Sequence, residues 1–289
     1  MMTPLSLVAP AKLNLSLRVV GQRTDGYHLL ESEMVLLELA DRLLLLPGAT
    51  GLRVEVAPDE EIPVDGSNLA WRGLLTGLGA EPELICLALE KHIRAAAGLG
   101  GGSSDAAAAW RLGRHASGAS QTATTDELGA LALLGADVPF FAAQYGAARV
   151  SGIGEQVAPL AAVAVTPVLL VHPEFRLLTG EVFAELRAGD VASDRPGGND
   201  LLAPALRLRP ELIDLMRRVA EAGAEPRLTG SGPTLFSLID DPERAVATAA
   251  RLRSAGLRVT ETRLRPRPAA IIELDEAPND GGATRQGVG

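Results

Sequence analysis

The chain has 289 residues, 47% of them hydrophobic and 22% charged, with a net charge of −9. This suits one large domain or two smaller ones with a full core, and the acidic balance argues against a general nucleic-acid binder, which needs a basic face. A single cysteine, Cys86, excludes an internal disulfide. No apolar run approaches the ~20 residues that span a bilayer, and the N-terminus lacks a signal-peptide plan, so a cytoplasmic location is expected.

Residues 5–20 alternate apolar and polar from Lys12 on, which predicts a half-buried strand with Pro10 as its break. Lys12 and Asn14 then project from one face. They are either a solvent-facing edge or the start of a site. Asp25-Gly26 marks a hairpin tip, followed directly by Tyr27 and His28. That pair suits either edge packing or contact with a ring. Residues 31–39, 41–46 and 52–56 read as further strands of an antiparallel sheet. Ser67 or Asn68 caps a helix that runs to about residue 78. Residues 83–92 are strand-like.

The strand delivers the stretch K-H-I-R-A-A-A-G-L-G-G-G-S-S-D-A-A-A-A-W-R, residues 91–111. Glycine lets a ligand approach the backbone, and the alanines after Asp105 are strong helix formers. A helix expected from about Ser104 to residue 112 therefore begins in a bare loop. Its first N–H groups lack internal partners and sit at the positive end of the helix dipole. That is an anion site, and phosphate is the usual biological anion. Ser103 and Ser104 add hydroxyls that can cap the helix, touch a phosphate or reach a magnesium ion. No Gly-Lys-Ser/Thr follows, so this is not the common phosphate loop. Gly98-Leu99-Gly100 begins a dinucleotide fingerprint, but Ser103 stands at its third glycine position. A flexible turn into an Ala-rich helix is the plainer alternative. Only two of the 27 Lys and Arg residues are lysines, Lys12 and Lys91, a weak sign that these positions need a compact ammonium.

Residues 114–124 read as a surface loop, and Thr125-Asp126 caps a helix over 127–134. In G-A-D-V-P-F-F, residues 135–141, Asp137 is either a helix cap or a carboxylate with a chemical task. Residues 146–154 form a glycine-punctuated strand and turn. An apolar strand at 163–171 is interrupted by Pro167. Helices follow over 179–186, after an Asn199-Asp200 cap, and over 210–222. A second glycine turn, Gly230-Ser231-Gly232, precedes a strand. A helix at 241–252 and a strand at 257–264 complete a split βαβ plan. The tail from Glu276 is rich in glycine and is expected to be disordered. The histidines and the cysteine are scattered, with no metal-ligand cluster.

Three segments, P-A-K-L-N-L at 10–15, A-G-L-G-G-G-S-S-D-A-A-A at 97–108 and L-T-G-S-G-P-T-L-F at 228–236, resemble in order and separation the motifs of the galactokinase, homoserine kinase, mevalonate kinase and phosphomevalonate kinase (GHMP) superfamily. R-T-D-G-Y-H, L-G-A-D-V-P-F-F and G-I-G-E are similar to the members whose acceptor is a cytidine diphosphate derivative of methylerythritol. The likeness covers roughly residues 8–265. It implies an α+β fold of two domains: an N-terminal ribosomal protein S5 domain 2-like α/β domain at 1–158, and a C-terminal ferredoxin-like split βαβ domain at 159–275.

The resemblance also implies ATP and Mg²⁺ as cofactors and a cytidine diphosphate sugar alcohol as substrate. The expected assembly is a monomer or weak homodimer, with no nucleic-acid or membrane partner. It places ATP on Arg94, Ala95, Ala96, Ala97, Gly98, Leu99, Gly100, Gly101, Gly102, Ser103 and Ser104, with Lys91 and Asn68 nearby. Asp137 and Lys12 match the catalytic pair, and Asp137 would take or orient the hydroxyl proton. Asn14, Tyr27 and His28 match substrate-holding residues. Tyr27 would stack on the cytosine and His28 would hydrogen-bond it, with Phe183 on the other face and Thr179 close by. The magnesium ligands are not assigned. Arg94 stands where the family usually has proline, and 114–124 fits no family pattern. The alternatives are a homoserine or mevalonate kinase-like enzyme, and a non-catalytic nucleotide- or sugar-binding member.

Overall fold

The structure, a computed structural model, describes residues 3–57, 60–80, 84–191, 198–276 and 285–286. Its spine is β2 (His28–Pro47), which pairs antiparallel with β1 (Leu5–Gln22) along one edge. The other edge of β2 is shared in turn. β5 (Ala147–Gly152) takes residues 30–35, β10 (Arg258–Arg265) takes 36–37, and β4 (Ile85–Glu90) takes 42–47. Segments 31–39 and 41–46, expected as separate strands, are thus one element, because β1 on the opposite edge pairs with Ala40 and Asp41 and carries the strand across the gap. Pro10 does not break β1 either. It lies beside a register shift between Pro10 and Lys12, and a bulge is where a strand tolerates a residue without an N–H.

β3 (Gly51–Glu55) runs parallel to β4. β6 (Gln156–Pro159) pairs with β5, and β11 (Ile272–Glu273) with β1. Of the tail expected to be disordered from Glu276, 277–284 and 287–289 lie outside the described residues. β12 (Arg285–Gln286) pairs with β3. Over this sheet lie α1 (Leu69–Leu78) and α2 (Gly101–Ala116), which join it in a core of Leu7, Leu43, Leu74, Leu87, Leu89 and Leu112. α3 (Thr125–Ala132) starts with a capping box of Thr124 and Glu127, one residue ahead of the expected cap. Residues 114–116, expected in a loop, extend α2.

The rest of the chain runs through β7 (Pro167–His172), α5 (Thr179–Ala184), α6 (Leu202–Leu208), α7 (Glu211–Glu221), β8 (Arg227–Leu228), β9 (Leu235–Leu238), α8 (Pro242–Ser254) and β10. Pro167 opens β7 rather than interrupting it. The strand order β10-β7-β9-β8, antiparallel throughout, is the split βαβ arrangement. Its core gathers Leu169, Val171, Val182, Leu212, Val219, Leu235 and Leu252. Among the described residues, no helix is long and apolar enough to cross a membrane.

The α1–α2 contact is made backbone to backbone. A Cβ on Gly73 would lie 2.1 Å from the Ala106 carbonyl oxygen, and one on Gly77 would lie 2.2 Å from that of Trp110. Gly129 in α3 meets nothing within 4 Å. Gly73→Ala should therefore destabilise the fold by at least ~1–3 kcal/mol. Gly129→Ala should stabilise it by ~0.4–1 kcal/mol. Thermal unfolding of the two variants tests both signs.

Candidate active site

The local reason for the site lies in the chain leaving β4. Ala96, Gly98 and Gly100 have φ of 51°, 74° and 71°. Alternating left-handed residues turn successive N–H groups to one side and make an anion-binding concavity. α2 then begins at Gly101, three residues earlier than helix propensity predicts. Glycine is a poor helix former, yet only glycine fits, since a Cβ on Gly101 would lie 2.9 Å from the Ile93 side chain. The N-cap, Gly100, supplies no side-chain hydrogen bond. Gly101, Gly102 and Ser103 thus present the start of a 16-residue helix to a cavity of about 650 Å³.

Two chemical centres flank this turn. Lys12 is 3% exposed, and its Nζ lies 2.6 Å from Asn14 Oδ1 and 3.3 Å from Asp137 Oδ2. Asp137 holds the N-cap position of α4 (Val138–Ala142) but makes no capping hydrogen bond. Its carboxylate faces Lys12 instead. Asn14 Nδ2 donates to Ser32 Oγ at 2.7 Å. The face of β1 with Lys12 and Asn14 is buried, not a solvent-facing edge. The second glycine turn closes over it: a Cβ on Gly230 would lie 3.2 Å from Lys12 Nζ, and one on Gly98 would lie 2.6 Å from the Thr229 carbonyl oxygen.

The second centre is a buried triad that local sequence patterns do not reveal. Lys91 Nζ pairs with Asp41 and, at 2.6 Å, with Asp105 Oδ2. Asp41 Oδ1 also accepts the His92 and Ile93 amides at 2.5 and 2.8 Å. Burial alone would lower the Lys91 ammonium, but Asp105 and Asp41 outweigh it and hold it above its ordinary value. Burial pushes the Asp105 carboxyl up to about 8, with Lys91 opposing and Asp41 reinforcing. Two carboxylates sharing one ammonium leave one carboxyl protonated. The triad ties β2, the exit of β4 and the second turn of α2 together.

At the other end of the loop, Glu60 Oε2 accepts the Ala95 amide at 3.0 Å, and Glu60 Oε1 lies 3.7 Å from Arg94 Nη2. This anchor holds the loop where Arg94 replaces the family's proline. Asn68 accepts from the Ala70 amide and donates to the Pro63 carbonyl, so its side chain holds the wall of the cavity.

Lys12, Asn14, Asn68, Lys91, Arg94, Ala95, Ala96, Ala97, Gly98, Gly100, Gly101, Gly102, Ser103, Asp137, Thr179 and Phe183 all line the one cavity. Leu99 and Ser104 are among the buried residues behind it, and Leu99 contributes through its carbonyl, which accepts the Lys12 amide at 3.0 Å. Tyr27 is 63% exposed. The His28 and Phe183 rings stack on each other, 5.1 Å between centroids, so His28 takes one face of Phe183. Thr179 Oγ1 meets Ser231 Oγ at 3.0 Å. Asn199 was expected as a helix cap together with Asp200. Its Oδ1 does accept the Leu201 amide at 2.9 Å, just ahead of α6, and its side-chain amide also donates to the Leu228 and Gly230 carbonyls, at 3.0 and 2.8 Å, and so holds the second glycine turn. Asp200 Oδ2 accepts the Val19 amide.

A mixed α/β fold with a phosphate-directed helix start and a second glycine turn across a shared cleft defines a GHMP-type small-molecule kinase. The family described as GHMP kinases C terminal matches residues 183–257. A 4-diphosphocytidyl-2-C-methyl-D-erythritol kinase of Dinoroseobacter shibae is 39% identical over 272 residues, covering 86% of this chain and 90% of that protein. One of Nocardia farcinica is 37% identical, covering 93% and 96%. A crystal structure of 4-(cytidine 5'-diphospho)-2C-methyl-D-erythritol kinase superposes with a TM-score of 0.71 at 34% identity, covering 89% of this chain and 98% of that one. Homoserine kinase from Cytophaga hutchinsonii shares the fold at 18% identity and a TM-score of 0.64, covering 94% and 98%. The chain belongs to the 4-diphosphocytidyl-2-C-methyl-D-erythritol kinase family.

Asp105 gives a pH test with a definite sign. Its folded carboxyl holds the proton more tightly than the unfolded one. Its stabilising contribution is therefore full below the unfolded value near 4 and is lost as pH rises through about 8. Asp105→Asn keeps the shape and removes the titration. The unfolding temperature of the wild type relative to Asp105→Asn should fall between pH 5 and pH 8. A flat or rising difference refutes this assignment of the proton.

Proposed function

We infer that this chain transfers the terminal phosphoryl group of ATP to the 2-hydroxyl of 4-diphosphocytidyl-2-C-methyl-D-erythritol, in non-mevalonate isoprenoid-precursor synthesis. The observation that carries the mechanism is the Lys12–Asp137 ion pair at 3.3 Å, in the same cavity as the uncapped start of α2. Phosphoryl transfer is mainly positioning and charge neutralisation. The amides of Gly101, Gly102 and Ser103 hold the phosphates, and the helix dipole adds about half a positive charge. Asp137 takes or orients the acceptor hydroxyl proton. Lys12 offsets charge on the transferring group.

Magnesium belongs to this reading. It prefers oxygen ligands and keeps several waters beside substrate phosphates. The Ser103 hydroxyl is an oxygen ligand on the cavity wall and would hold it, and the cation would neutralise phosphate charge. Lys91 acts through the loop, since its ammonium is taken by Asp41 and Asp105. We read residues 1–158 as the ATP-binding and catalytic part and 159–275 as the substrate side. Thr179 and Phe183 face the cavity from the latter, and His28, at the start of β2, stacks on Phe183. The cytosine would sit against Tyr27 and Phe183.

Coupled ADP release should require Mg²⁺ and the cytidine diphosphate alcohol, and homoserine and mevalonate should give only background. Asp137→Ala should lower kcat by ~10²–10⁴-fold while leaving the KM for ATP nearly unchanged. Near-normal turnover in that variant would place the chemistry elsewhere. Stacking is worth ~1–3 kcal/mol per base, so Phe183→Ala should raise the KM for the cytidine substrate by about tenfold, with little change for ATP.

A further inference from the structure

A second cavity, of about 410 Å³, lies where the last turns of α2 meet the stretch before β11. Arg111, His115, Gln121, Gln144, Pro268 and Ile271 line it. Arg111 is 7% exposed. Among the described residues its guanidinium has no ion pair, and Nε is enclosed without an acceptor. A buried cation without a counter-charge is a costly arrangement. Burial pushes this guanidinium down to about 10, which still leaves it charged at neutral pH. Glu273, two residues past Ile271, pairs with His115 at 3.5 Å instead. The wall is otherwise rich in donors. Gln121 Nε2 meets His115 Nδ1 at 3.0 Å, and Gln144 Nε2 donates to the Gln121 carbonyl at 2.7 Å. Each of these amides has a second N–H.

We propose that this cavity is a second anion site, anchored by Arg111, whose ligand is inorganic phosphate or the phosphate end of a small molecule. A guanidinium offers a planar fork that matches two oxygens of a phosphate. A carboxylate would also fit the fork, but the additional amide donors favour an ion with more than two oxygens. Arg111 lies about 15 Å along α2 from Gly101, at 1.5 Å per residue. The site is thus separate from the phosphoryl-transfer cleft, and the proposal does not depend on the kinase reading.

The test uses the full chain with its nucleotide cleft filled by saturating ADP, so that added anions do not report on the glycine loop. Phosphate, pyrophosphate and acetate are titrated at constant ionic strength against wild type and Arg111→Met, with Tm as the readout. Phosphate or pyrophosphate should raise the wild-type Tm saturably by ~2 °C or more, as ligand linkage requires. Acetate should do less, and Arg111→Met should abolish the rise. Wild-type crystals soaked in tungstate should place the ion within hydrogen-bond distance of the guanidinium, a result that does not need the variant to fold. The absence of a saturable shift, a shift unchanged in Arg111→Met, an equal response to acetate, or tungstate absent from this cavity would each overturn the proposal.

Discussion

An ammonium with almost no contact with water must be met by acceptors, and in this fold that requirement falls on Lys12. Its two acceptors come from different places: Asn14, one strand repeat away, and Asp137, at the start of a short helix far along the chain. Satisfying the charge therefore draws β1 and α4 to the same point. The Lys12 amide is fixed as well, donating to the Leu99 carbonyl inside the glycine loop. One residue thus joins the acid, the phosphate-directed helix and the first strand.

Around that point the chain packs backbone against backbone. The two glycine turns touch because neither has a side chain to keep them apart, with the Gly98 and Thr229 main chains nearly in contact. Asn14 and Thr229 tighten the junction, the Asn14 amide donating to Thr229 Oγ1 at 3.2 Å. The cleft thus brings together residues more than two hundred positions apart. The Lys91 triad plays the matching role beneath the loop, where Asp41 takes up the His92 amide and the buried Ile93 amide.

Much of this was legible in the sequence where a local rule governs the outcome. The alternation after Lys12, the glycine-to-alanine switch before α2 and the Asn68 cap all act over a few residues, and the structure has each of them. Burial of the Lys12 face was not legible, because a polar row on a strand looks the same whether water or a helix covers it. Asp41 read only as the first residue of an apolar strand over 41–46, and Asp105 only as a helix residue. Their meeting at Lys91 depends on the register of β2 against β4. Asn199 has the composition of a cap, and only the fold shows that its amide serves the second glycine turn.

β2 measures distance across the molecule. His28 stands at its first position and Asp41 thirteen residues on, so one strand sets the spacing between the aromatic side of the cleft and the support of the phosphate loop. Inserting or deleting one residue midway would turn every later side chain to the opposite face. Asp41 would then point away from Lys91 while β1 stayed in place. The stretch of β2 from His28 to Asp41 thus acts as a fixed ruler that tolerates substitution but not a change in length.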